Sequence, residues 1–139
     1  MRREGGFTLV EMLVVMLILG VLAAIAIPSF FSQRDKATDA EAKAAVRVAQ
    51  TSAETLKTAN EGDYDGVGGV TVANLVATES TLTGVALSVP VVTANSYTVR
   101  VQSATGNTFD IRHNNDGTVD MSCASAGRGG CPSDGNWGQ

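Results

Sequence analysis

The sequence predicts an α+β fold in which one long N-terminal α-helix, with a hydrophobic half and an amphipathic half, packs on a small antiparallel β-sheet head. Three observations predict it. Residues 7–31 are almost wholly apolar, residues 32–61 repeat small apolar side chains every three or four positions, and residues 62–139 gather Val, Ile, Thr, Tyr and Phe between turn-forming clusters. At 139 residues the chain holds one domain and an appendage. Its composition, 44% hydrophobic yet only 5% aromatic, averages over these unlike regions. There is no internal repeat.

The apolar run, FTLVEMLVVMLILGVLAAIAIPSFF, spans Phe7 to Phe31, and no polar side chain occurs between Met12 and Ile27. As a helix it would extend ~38 Å, more than the ~30 Å hydrocarbon core of a bilayer. Gly20 and Pro28 are poor choices in a soluble helix but are tolerated in membrane helices, where Gly permits close approach and Pro bends the rod. Pro28 also leaves the carbonyl of Ala24 without its donor, so a bend or local melting is expected between Gly20 and Pro28.

A short polar leader, MRREGG, residues 1–6, precedes this run. An ordinary secretory signal puts its small-residue cleavage site after the apolar stretch and is then discarded. Here the order is reversed: the two glycines offer a protease an unhindered extended segment, and a cut after Gly6 keeps the apolar helix. An uncut signal anchor is the alternative. Glu11 needs a reason, since a carboxylate inside a membrane helix costs about 2.5–3.5 kcal/mol on insertion scales. Lying near the start, it can snorkel to the interface. After the cut, Phe7 carries a new ammonium group, and subunits staggered by a few residues can pair that amine with a neighbour's Glu11, rewarding one register over the others.

The stretch GGFTLVEMLVVMLILGVLAAIAIP resembles the N-terminal signature of type IV prepilins, in their major-pilin form, and less closely that of the related pseudopilins. The resemblance implies that a prepilin peptidase cuts between Gly6 and Phe7 on the cytoplasmic side and N-methylates Phe7. Glu11 corresponds to the family's glutamate at the fifth mature position, which is implicated in subunit register, and Gly20 and Pro28 fall where members often carry Gly and Pro. An assembly ATPase and a membrane platform are implied as further partners. The signature covers under a quarter of the chain; the remainder matches the pilin-like layout only.

In residues 32–61, Ala42, Ala45, Val46, Ala49, Ala53 and Leu56 line one helix face, while Asp39, Glu41, Lys43, Arg47, Glu54 and Lys57 are expected on the other sides. Pairs such as Asp39 with Lys43 can meet across one turn, and Gly62 supplies a stop. In the head, residues 70–82 are ambiguous and fit a short helix. The segments GVALSVPVV, SYTVRVQSA, NTFDIRHN and GTVDMSC read as three or four antiparallel strands, with ATGN and NNDG as turns. Val99, Val101, Phe109, Ile111 and Val119 are the expected core.

Cys123 and Cys131 are the only cysteines. Two thiols and the distant His113 make a poor zinc site, so a disulfide is preferred; it staples the Gly-rich C-terminus and requires an oxidising compartment. Charge alone does not orient the helix, because Arg2 and Arg3 flank one side and Arg34, Lys36, Lys43 and Arg47 the other. The leader and the cysteines place the head outside.

The remaining candidates are bland. Glu61, Asp63 and Asp65, or Asn114, Asp116 and Asp120, would suit calcium but lack the EF-hand pattern and read better as acidic turns; no metal or cofactor is expected. Trp137 covers the disulfide loop or packs on the sheet, or else contacts a neighbour. No catalytic Ser, His and Asp arrangement, nucleotide loop or nucleophilic cysteine setting occurs, so no enzyme is expected. Formal net charge is -4, and loss of residues 1–6 would leave eight basic and thirteen acidic side chains, which disfavours direct nucleic-acid binding by a shaft. The expected function is a self-polymerising pilus subunit. Its localisation is the inner or cytoplasmic membrane before assembly and an extracellular filament afterwards, serving adhesion, twitching motility or DNA uptake. A type II secretion pseudopilin, a minor or competence pilin, and an anchored binding module that keeps its leader are the alternatives. The secretion pseudopilins compared in the resemblance carry a calcium loop and usually no disulfide, the opposite of the pattern here.

Overall fold

The computed structural model describes residues 5–138. Met1, Arg2, Arg3 and Glu4 of the leader lie outside the described residues. The chain divides into two compact units, Met1–Arg34 and Asp35–Gln139. Helix α1, Leu9–Ala59, supplies most of the first and the backing of the second.

Thr8 starts α1. Its hydroxyl accepts the N–H of Glu11 at 3.2 Å and its carbonyl the N–H of Met12 at 3.2 Å, satisfying donors that a helix start leaves free. The helix then runs unbroken through Gly20 and Pro28, so the expected local melting is absent here. Proline removes a single i→i−4 bond, and the turns on either side carry the helix past it.

Where α1 ends, the N–H of Gly62 reaches the carbonyl of Lys57 at 2.9 Å, and the residue in left-handed conformation is Glu61, with φ 57°. This is a Schellman closure. Gly62 belongs to the stop as expected, with φ 102°, but the left-handed position just after the helix cap falls to a glutamate.

In the head unit, the ambiguous stretch resolves into α2, Val72–Thr78, capped by Thr71, and a 3-10 turn, Ser80–Leu82. Four strands follow: β1 Leu87–Thr93, β2 Ser96–Gln102, β3 Thr108–His113 and β4 Val119–Cys123. They form an antiparallel meander in the order β1-β2-β3-β4, with a register shift in β1 between Ser88 and Val91. Gly106 and Gly117, both with positive φ, make the tight β2–β3 and β3–β4 turns that ATGN and NNDG announced.

The core joins Ala42, Val46, Ala49 and Ala53 of α1 to Tyr97, Val99, Val101, Phe109 and Ile111 of the sheet, with Leu75, Leu82 and Trp137 closing its margins. Small side chains on the helix let it approach the larger β-residues closely. Val119 departs from expectation: it is 39% exposed. It opens strand β4 opposite His113 at the corner of the sheet, with a β-strand partner on one side only.

Candidate assembly segment and the head that carries it

The first unit puts the sequence-predicted residues in one short stretch. Gly5 and Gly6 precede the helix in irregular backbone, and a side chain at either would meet nothing within 4 Å. Phe7 is 73% exposed. Glu11 lies in the first turn of α1, where its carboxylate faces the positive end of the helix dipole. Thr8 was missed by the functional reading, although TLVE is the spacing of a capping box.

From Phe7 to Phe31 the large apolar side chains are all 45–75% exposed among the described residues. Of the described helices, α1 alone is long and apolar enough to cross a membrane.

In the head, two carboxylates expected on the solvent side of α1 turn inward. Asp39 is fully buried. It accepts Thr105 Oγ1 at 2.5 Å, Asn107 Nδ2 at 2.6 Å and the Gly130 N–H at 2.8 Å, and the expected pair with Lys43 does not form. Lys43 instead donates to the carbonyl of Gly130 at 2.5 Å. Burial pushes the Asp39 carboxyl up, but the hydrogen bonds from Ser103, Thr105, Gly130 and Asn107 together outweigh it and hold the group below its usual range. Its inward turn was legible: residues 39, 42, 46, 49 and 53 continue one stripe at helical spacing.

Glu54 accepts the hydroxyls of both Tyr64 (2.9 Å) and Tyr97 (2.9 Å). Burial first, then the Glu54 carboxylate, push both phenols above their ordinary value. His113 stacks on Tyr97, with ring centroids 5.6 Å apart, and its Nδ1 is buried without a hydrogen-bond partner.

Cys123 and Cys131 form the disulfide, with Cα atoms 5.8 Å apart. Trp137 packs edge-on against Phe109, donates Nε1–H to the Ser122 carbonyl at 2.9 Å, and lies beneath Lys43 and Arg47, whose charges sit 5.7 and 5.2 Å from its ring. Its place is on the sheet.

Asparagine side chains brace both acidic turns. Asn60 Nδ2 bonds the carbonyls of Asp63 and Asp65 at 3.0 and 2.5 Å, Asn114 Nδ2 bonds Asp120, and Asp116 accepts the N–H and hydroxyl of Thr118. Among the described residues no three His, Cys, Asp or Glu side chains gather as metal ligands do.

An exposed apolar helix, capped by Thr8 and carrying Glu11 in its first turn, follows a glycine pair and Phe7, and this stretch is where the chain is similar to a known family. Residues 1–27 match the family described as "Prokaryotic N-terminal methylation motif". The chain is 42% identical over 50 residues, 36% of its length and 23% of the relative's, to "Type IV major pilin protein PilA" of Myxococcus xanthus. It is 37% identical over 59 residues, 42% of each chain, to "Type II secretion system core protein G" of Pseudomonas aeruginosa. It is also 37% identical over 62 residues, 45% of its length and 57% of the relative's, to "Competence protein ComGC" of Halalkalibacterium halodurans. The chain thus spans less than two thirds of each of these curated relatives, from about a quarter to somewhat over half. No solved structure matches.

Proposed function

We propose that this chain is a structural subunit of a type IV pilus, without catalytic activity of its own. A prepilin peptidase cuts it between Gly6 and Phe7 and methylates Phe7. It waits in the inner or cytoplasmic membrane with the disulfide-bonded head outside, and it polymerises through residues 7–31 into an extracellular filament for adhesion, twitching motility or DNA uptake. The observation that carries this reading is the exposed apolar half of α1. So long a greasy surface is stable only in lipid or against copies of itself, and a heterologous contact between identical helices generates an open fibre. Glu11 then pairs with the Phe7 amine of a neighbouring copy and fixes the stagger. Gly20 and Pro28 are the points at which the helix would bend or melt on leaving the membrane. An assembly ATPase and platform would drive the extraction.

Mass spectrometry of the N-terminal peptide of protein sheared from cells tests the reading, with Glu11→Ala alongside. A methylated Phe7 terminus on abundant sheared fibres, lost in Glu11→Ala, is the expected result. A terminus at Met1 or Arg2 that stays with the membrane would refute it.

A second reading, a secretion pseudopilin or a minor or competence pilin, is favoured by the similarity to core protein G and ComGC. The same shearing separates the two: a processed terminus found only in the membrane fraction, on cells with a secretion or competence defect when the chain is deleted, selects the second.

A further inference from the structure

We propose that Asp39 is the positioning residue for the Cys123–Cys131 disulfide, holding the C-terminal loop on α1 so that the two thiols meet. The two cysteines are anchored by different means. Cys123 ends β4, is registered against Phe109 and gives its N–H to the Gly135 carbonyl at 2.9 Å. Cys131 belongs to no strand or helix. Its neighbour Gly130 is gripped from both sides by residues one turn apart on α1: Asp39 takes its N–H at 2.8 Å and Lys43 donates to its carbonyl at 2.5 Å. Asn107 ties the same carboxylate to the loop a second time, donating to Asp39 at 2.6 Å and to the Arg128 carbonyl at 3.1 Å.

The loop is cut to fit this carboxylate. A Cβ at Gly130 would stand 2.7 Å from the Asp39 Cβ, and one at Gly129 would strike Asp39 Oδ2. Gly129 also has φ +57°, a conformation that glycine adopts without strain. The pair of glycines immediately before Cys131 therefore lets the loop settle onto Asp39, through hydrogen bonds that involve neither sulfur. The docked loop raises the effective concentration of one thiol at the other before oxidation. The bond then forms by exchange: one cysteine thiolate attacks an external disulfide oxidant, and the second cysteine displaces the remaining thiol. The two cysteines give up two electrons and two protons, and the oxidant leaves as two thiols.

The test measures the equilibrium between the reduced and oxidised full chain, held in detergent micelles, in mixtures of oxidised and reduced glutathione. Asp39→Asn keeps the volume but turns an amide donor toward the donors of Gly130, Asn107 or Thr105. It is expected to lower the effective thiol concentration about tenfold or more while circular dichroism shows the reduced head still folded. Thr105→Val, which removes one donor from the same carboxylate, is expected to give a smaller loss and serves if Asp39→Asn fails to fold. Val46→Ala weakens the core away from the loop and is expected to leave the value unchanged as long as the chain is folded. In guanidinium that unfolds all of them the variants should coincide. A value for Asp39→Asn within about twofold of the unaltered chain overturns the proposal. So does an equal fall in Val46→Ala, because the loss would then report a loosened head and no local grip.

Discussion

Raising the pH should unfold the head through Glu54 and its two tyrosines. Tyr64 and Tyr97 are the chain's only tyrosines, both have no exposed surface, and both hydroxyls donate to the Glu54 carboxylate. Burial and the adjacent negative charge hold both phenols above the ordinary value of 10.0. Their contribution to stability is therefore fully present below pH 10.0, the unfolded value, and is lost as the pH rises toward the folded value. Between pH 10.0 and the folded values the unfolded chain has released two protons that the folded chain retains, so stability falls by about 2.7 kcal/mol per pH unit there. Against a domain stability of about 5–15 kcal/mol, a few pH units suffice to unfold it. Denaturant midpoints of the full chain in micelles, taken from about pH 9 to pH 12, read this slope. The phenolate absorbance reports these two side chains alone. Tyr97→Phe should halve the slope to about 1.4 kcal/mol per pH unit. An unchanged slope in Tyr97→Phe, or phenolate appearing near pH 10.0 in a head that is still folded, would refute the reasoning.

Glu61→Gly relieves a left-handed residue in the stop of α1 and should stabilise the head by about 0.5–1 kcal/mol, raising Tm by a few degrees, as thermal melting would report. The acid limb belongs to Asp39. Because its folded value lies below the ordinary 3.8, the stability it supplies is present above that pH and is lost as the pH falls through the folded value. Asp39→Asn should flatten that limb in acid denaturation curves, and an unflattened limb would assign acid unfolding to other carboxylates.

Much of this was legible in the residues, for identifiable reasons. A period of 3.6 fixed the stripe Ala42, Val46, Ala49 and Ala53, and alternation with Gly-containing turns fixed the sheet, because in both cases burial is one-sided and repeats along the chain. Asp39 and Glu54 depart from the expected solvent side, because a charge on a helix ordinarily signals solvent and these two find buried donors instead. Their donors, Thr105, Asn107, Gly130, Tyr64 and Tyr97, lie up to 91 residues away, and no local pattern reports such partners. Val119 satisfied the alternation yet stayed exposed, since alternation chooses a face of the sheet and says nothing about how far the helix covers it. Glu61 took the place expected of glycine because helix length, set by packing, decided where the stop fell.

Both margins of the sheet are spoiled for further pairing. On one side β1 carries Pro90, which has no N–H, within its register shift. On the other, the C-terminal tail lies along β4, with Ser122 bridged to Asn136 and the Trp137 N–H given to Met121. Identical sheets are each other's best templates, and the hazard of edge-to-edge zippering grows with crowding. A sheet with a proline in one outer strand and a tail bridged to the other can be crowded against identical sheets with less risk of edge-to-edge zippering.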